Sequence, residues 1–288
     1  MTPLNRRDFI ATSAIATAAL TAPALARQPE KKEVAPTKGR LKQSVCRWCY
    51  GNTKLDDLCT AAAAMGIKSV ELLTEKEWTT PAKHGLSCAI GMGPTSIGDG
   101  FNRVENHDKF VAELERMLPL AKAAGIPQVI VFSGNRKGMS DAEGLKNCAA
   151  GLKRITPAAE KHGVTIIMEL LNSKVDHKDY MCDRTPWGAD LVQAVGSPRF
   201  KLLYDIYHMQ IMEGDVIRTI KDHFDAIGHY HTAGVPGRHE LDEKQELNYR
   251  AICEAIVEKG FTGYLAQEFI PTRDPMTSLR EAVRICDV

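Results

Sequence analysis

FKLLYDIYHMQ, residues 200–210, is an apolar run closed by a carboxylate, with an imidazole three positions on. Residues 200–204 have the length and composition of a strand buried on both faces, as in a parallel sheet. Asp205 falls where that strand should end, and His208 lies just beyond. Three more short apolar runs end in the same way: IIMELL in Glu169, IGHYHTAG in His231 and GYLAQEF in Glu268. In a barrel of alternating strands and helices, residues at the C-terminal strand ends face the active-site mouth. Two Glu, one Asp and one His at one mouth are a ligand set for a single divalent metal ion.

Outward from this stretch, strands are expected at 41–48, 67–72, 86–92, 128–132, 164–169, 200–205, 227–232 and 264–269. Helices are expected at 55–65, 107–124, 141–162, 185–195, 213–224, 248–259 and 276–285, with a short irregular helical piece at 75–84. Thr185 is read as the cap of its helix, with Pro186 in the first turn, and Gly163 as the residue closing the long helix before it. Alternating elements imply a parallel sheet, and eight repeats in this length favour a closed (β/α)8 TIM barrel, an α/β fold in a single domain at 41–288. No glycine-rich dinucleotide fingerprint follows the first strand, against an open nucleotide-binding sheet. The segment 91–106, rich in Gly, is a long loop expected over the mouth.

The chain opens MTPLNRRDFIATSAIATAALTAPALA. Arg6 and Arg7, an Ala-rich apolar region and Ala24-Leu25-Ala26 have the order of a signal peptide at 1–26, of the twin-arginine type. Residues 27–40, rich in Pro, Lys and Glu, read as a flexible leader. The expected destination is export, to a periplasm. Cleavage leaves a chain of barrel length, about 250 residues, and of formal charge zero, since the full chain carries +1 and the signal supplies it. A neutral chain has no global electrostatic pull toward nucleic acid. No later segment is long and apolar enough to span a membrane. The expected partner is a small-molecule substrate; a homo-oligomer is compatible with the sequence. The eight cysteines are scattered through apolar elements and read as buried thiols. Cys46 and Cys49 straddle a strand end rather than opening a helix, which favours packing over redox chemistry, with a disulfide left open.

For any one of the four candidate ligands, an ordinary solvated strand end is the simpler reading. Their order on four successive strands, 36, 26 and 37 residues apart, favours a shared site. The motifs MELLN (168–172), YDIYHMQIMEGD (204–215), GHYHTAGVPGRHE (228–240), ELNY (246–249) and AQEF (266–269), with CRWCYG near the start, resemble the hydroxypyruvate isomerase branch of the xylose-isomerase-like barrels. The resemblance implies that Glu169, Asp205, His231 and Glu268 hold one divalent ion (Mn²⁺, Mg²⁺, Co²⁺ or Zn²⁺). It implies that Glu169 and Glu268 are the catalytic acid/base pair and that His208 and Arg238 bind substrate oxygens. His231 stands where that branch often has Gln, and Gly234 where it often has Asp, which raises the question of a different substrate.

The implied reaction is aldose–ketose interconversion of a small keto acid or ketose through an enediolate, of the hydroxypyruvate/tartronate semialdehyde type. Alternatives are an exported epimerase or lyase on a 3-oxo-sugar or glycoside, and a non-catalytic sugar-binding barrel. A DNA-cutting three-zinc barrel fits poorly: His84, His107 and His162 are not at early strand ends. Arg238 could instead pair structurally with Glu240 or Asp242, and His239 reads as solvated. Trp48 and Trp187 are candidates for apolar walls or for core packing.

Overall fold

The structure is a computed structural model that describes residues 37–288. The expected signal and most of the leader lie outside the described residues. Among the described residues, eight strands form one parallel sheet: β1 (Lys42–Cys46), β2 (Ser69–Glu71), β3 (Ile90–Met92), β4 (Gln128–Val131), β5 (Thr165–Leu170), β6 (Phe200–Asp205), β7 (Ile227–Thr232) and β8 (Tyr264–Gln267). Their order is β2-β1-β8-β7-β6-β5-β4-β3. The seam between β2 and β3 is closed by isolated bridges, Ser69 with Ser87 and Leu73 with Gly91. Leu72 N–H donates to Ile90 O at 2.9 Å across it. The result is the expected (β/α)8 barrel.

The helices are α1 (Leu55–Ala64), α2 (His107–Ala123), α3 (Asp141–His162), α4 (Thr185–Val195), α5 (Ile206–Met212), α6 (Val216–Asp222), α7 (Tyr249–Glu258) and α8 (Pro275–Cys286). None is long and apolar enough to cross a membrane among the described residues. The barrel strands supply the centre of the core; Val45, Val70, Ile166, Leu202 and Leu265 are fully buried. Gly163 closes α3 at φ 70°, the left-handed geometry a glycine adopts without strain. All eight cysteines are free thiols.

Two local expectations are corrected. The helix expected at 213–224 is the shorter α6, Val216–Asp222, and an unexpected helix, α5, begins at once after β6. Asp205 is its N-cap, accepting from His208 N–H at 3.2 Å. An acidic side chain at the strand end thus caps the helix that follows it directly. Thr185 is the first residue of α4 rather than its cap. Its N–H and hydroxyl both donate to Glu213, at 2.7 Å each, so a distant carboxylate does the capping.

The connection after β7 carries Arg238 and is anchored by Glu240. Its carboxylate accepts from Thr272 N–H (2.8 Å), Thr272 Oγ1 (2.9 Å) and Ser278 Oγ (2.8 Å), tying the loop to the approach to α8. Burial pushes the carboxyl up, but these donors outweigh it and hold its pKa at about 2. Glu240→Ala should therefore cost about 1.5–3 kcal/mol near neutral pH. The folded-state pKa is depressed, so this contribution is full above the unfolded value of about 4.5 and is lost as pH falls toward 2. Urea melts of parent and variant at neutral and acid pH should show the gap closing only in acid.

Candidate active site

Parallel pairing brings the strand-end donors to one level. Asp205 is the register partner of His231 across β6 and β7, and Glu169 lies opposite Leu203, on the same face as Asp205. Glu268 follows β8 and its N–H is held by Thr232 O at 2.9 Å. The structure brings Glu169, Asp205, His231 and Glu268 together, all buried, with one donor atom from each within 4.8 Å of the others. His231 Nδ1 points at this cluster, 2.8 Å from Glu268 Oε2 and 3.5 Å from Glu169 Oε1. Among the described residues, Glu169 Oε1 has no hydrogen-bond partner although it is buried. Three carboxylates this close demand positive charge, and an oxygen left unpaired in such a place suits a cation ligand.

Arg238 and His208 complete the floor. Arg238 Nη2 donates to Glu268 Oε2 at 2.6 Å and lies 3.4 Å from Asp205 Oδ2; Nη1 lies 3.0 Å from His208 Nε2. Arg238 therefore pairs with neither Glu240 nor Asp242; Arg273 meets both instead. Its guanidinium sits between Trp48 and Tyr207, 5.1 and 5.3 Å from their ring centres. His208 is fully buried, with Asn172 Nδ2 2.6 Å from its Nδ1. Burial first, then the Arg238 charge, push its pKa well below the usual imidazole range. With donors facing both ring nitrogens, a protonated ring has no acceptor to satisfy it.

The carboxylates are unequal. Burial, then the Glu268 charge, raise Glu169 above the ordinary carboxylate range, and burial raises Asp205 well above it. Burial also opposes ionisation of Glu268, but His231 and Arg238 overcome it and hold Glu268 well below that range. Burial lowers His231, yet its neighbours carry it well above the imidazole range, Cys46 and Glu268 foremost. Burial keeps the Cys46 thiol itself high, so the carboxylates supply the compensating charge.

Sequence reasoning missed the partner on the far side of the His231 ring. Glu71, at the end of β2 and fully buried, accepts from His231 Nε2 at 3.0 Å. His229 Nε2 lies 3.0 Å from the same oxygen but misaligned for a hydrogen bond. The signal was an acidic residue ending an apolar strand, the same signal that marked Glu169. Also unforeseen is the Trp48 indole N–H donating to Glu268 Oε1 at 2.7 Å. Trp187 is away from the mouth, donating to Asp141 O at 3.0 Å. His239 is exposed and bonds Ile270 O at 3.0 Å. Gly234 has a backbone reason: a Cβ there would lie 2.2 Å from Glu240 O, so the turn that carries Arg238 admits no side chain.

A cavity of about 510 Å³ opens above the cluster, lined by Trp48, Leu72, Met92, Phe132, His177 and Arg238 among others. A shallower depression of about 790 Å³ between residues 241–250 and α8 lies on the outside, away from the four donors.

A closed parallel barrel with acidic and imidazole donors at its C-terminal mouth defines a class of barrel enzymes. The chain belongs to the xylose isomerase-like TIM barrel family, whose model matches residues 59–287. It is 31% identical over 236 residues to a 2-oxo-tetronate isomerase of Cupriavidus necator, covering 77% of this chain and 89% of the relative. It is 26% identical over 262 residues to a Homo sapiens protein provisionally named hydroxypyruvate isomerase, covering 89% of each. Curated relatives of this kind are isomerases, and the chain is an isomerase of the same fold. The fold is shared with an AP endonuclease, family 2, from Brucella melitensis (TM-score 0.75, 22% identity, 83% of this chain and 97% of that one). It is shared too with the 3-keto-D-glucoside 4-epimerase of E. coli (TM-score 0.72, 19% identity, 85% and 100%).

Proposed function

We propose that the protein is a divalent-metal-dependent isomerase that interconverts an α-hydroxy ketone or keto acid and its aldehyde or neighbouring-ketone isomer through an enediolate. The observation that carries this reading is the cluster of Glu169, Asp205, His231 and Glu268 around one point beneath the cavity. These four residues would hold the ion, which would supply charge neutralisation for the enediolate oxygens. Glu169 and Glu268 stand at opposite ends of the four-strand arc β5-β6-β7-β8, so the pair flanks whatever binds between. Their environments push their proton affinities apart, which sorts acid/base roles. Glu169, with a raised pKa and a free oxygen, takes the proton from one carbon and returns it to the next. Glu268, pinned by Trp48, His231 and Arg238, stays ionised and fixes the geometry. His208, buried with both ring nitrogens engaged, positions Arg238 at Nη1, and Arg238, which lines the cavity, keeps a second Nη1 N–H for a substrate oxygen.

The test is proton exchange. Mn²⁺-loaded protein in deuterated water, offered hydroxypyruvate and a panel of ketoses and 3-oxo-sugars, should incorporate deuterium at the carbon beside the carbonyl. Tight metal binding without exchange on any of them would favour a binding protein instead. Glu71 gives a separate check. By accepting from Nε2–H it holds the ring with Nδ1 turned toward Glu268 and the other donors. Glu71→Ala should weaken Mn²⁺ affinity by about 10–100-fold, read by calorimetry, with Glu71→Gln recovering part of the loss.

A further inference from the structure

The mouth has two unlike halves. The donors all come from the ends of β5 to β8, whereas the opposite wall comes from the ends of β2, β3 and β4 and the loop after β3. That wall is Leu72, Met92, Ile97, Ile130 and Phe132. A packed barrel top has no need to leave these side chains facing space, yet Leu72, Met92 and Ile97 are only partly covered. Leu72 is moreover held at φ 57°, a left-handed conformation that a leucine adopts only at a cost. Stored strain beside a cavity is a mark of a built site.

Charge is the second observation. Among the residues lining the cavity, Arg238 carries the only permanent positive charge. Each of its nitrogens is already engaged: Nη2 by Glu268, Nη1 by His208, and Nε by Glu268 O at 3.4 Å. Trp48 and Tyr207 flank its faces. Among the described residues, a phosphate or carboxylate distant from the reacting carbons would meet no cation but this one, already paired with Glu268, and otherwise apolar side chains, Thr74 and a His177 whose burial lowers its pKa. Size is the third. A cavity of about 510 Å³ falls within the range of sites that bury drug-sized ligands, about 300–1,000 Å³, and a three-carbon keto acid would leave most of it filled with water against apolar walls.

We propose that the substrate is an uncharged sugar derivative bearing an apolar group, its α-hydroxy carbonyl end over the four donors and the apolar group against Leu72, Met92, Ile97, Ile130 and Phe132. This names the substrate class of the isomerase site and rests on that reading for the placement of the carbonyl end, but its test is a binding measurement that does not depend on turnover. Mn²⁺-loaded full-length protein is titrated calorimetrically with phenyl and methyl 3-oxo-β-D-glucosides and with hydroxypyruvate. The phenyl glycoside should bind on the order of tenfold or more tighter than the methyl one, as burial of an aromatic ring requires, and tighter than hydroxypyruvate. Ile97→Lys, on the partly exposed loop where the fold tolerates change, should erase the phenyl preference and leave methyl glycoside affinity within about twofold. Equal affinity for the two glycosides, tighter binding of hydroxypyruvate, binding of neither glycoside, or a phenyl preference untouched by Ile97→Lys would overturn the proposal. Failure of the isomerase reading is a separate result: tight phenyl glycoside binding with no deuterium exchange.

Discussion

Glu169→Gln is expected to lower turnover by about 10²–10⁴-fold, the contribution of a positioned acid/base group, and Glu268→Gln to lower it through loss of the site's geometry, both with the fold intact. The exchange of a carboxylate oxygen for an amide changes little in volume, and the surrounding strands carry the packing. The two variants should differ in how they fail. Glu169 has an oxygen without a partner among the described residues, so Gln in its place removes proton transfer and one of the four donors while the hydrogen bonds of the rest of the site stay in register. Glu268 accepts from Trp48, His231 and Arg238 at 2.7, 2.8 and 2.6 Å. Gln there removes the charge that balances Arg238 and His231, so cation affinity should fall together with turnover. Circular dichroism and calorimetric Mn²⁺ binding on both variants, beside deuterium exchange, separate these outcomes. Full exchange in Glu169→Gln would end its assignment as the proton-transfer group, and full exchange in Glu268→Gln would end its positioning role.

Chelation should abolish activity and lower thermal stability, and a divalent ion should restore both. Glu169, Asp205 and Glu268 crowd one buried point, where like charges repel at short range and water cannot screen them. Arg238 and His231 answer part of that charge. A ligand that binds only the folded chain at a hundred times its Kd adds about 2.7 kcal/mol. For a domain of this size that corresponds to a rise in melting temperature of roughly 5–10 °C. Calorimetric melts after EDTA and after Mn²⁺, Mg²⁺, Co²⁺ or Zn²⁺ readdition measure the shift. An unchanged melting temperature across all four ions would remove the metal from the account.

The barrel could be read from the sequence because its parallel strands are buried on both faces. That leaves short continuous apolar runs, each closed by a polar residue at the mouth, as in IIMEL and FKLLYD. Strand period and helix stops are local, so α3, α4 and β6 fell within the expected bounds. The four donors were nameable for the same reason: each ends its own strand. What each donor touches was not, because it depends on residues far apart in sequence. Glu71 and His231 are separated by 160 positions and Trp48 and Glu268 by 220. Only closure of the barrel, which sets β1 against β8 and β2 against β1, makes them neighbours. The same closure decided that Arg238 meets Glu268 rather than the nearer Glu240, which the loop spends on Thr272 and Ser278. It also set an apolar wall from β2 and β4 opposite the donors of β5 to β8. By itself the sequence determined a (β/α)8 barrel and the residue types at its mouth, since periodicity and strand length are properties of neighbouring residues. The pairing of those residues, the unequal carboxylates and the two-sided cavity were decided by tertiary structure alone, because hydrogen bonds, desolvation and charge act through space and take no account of order along the chain.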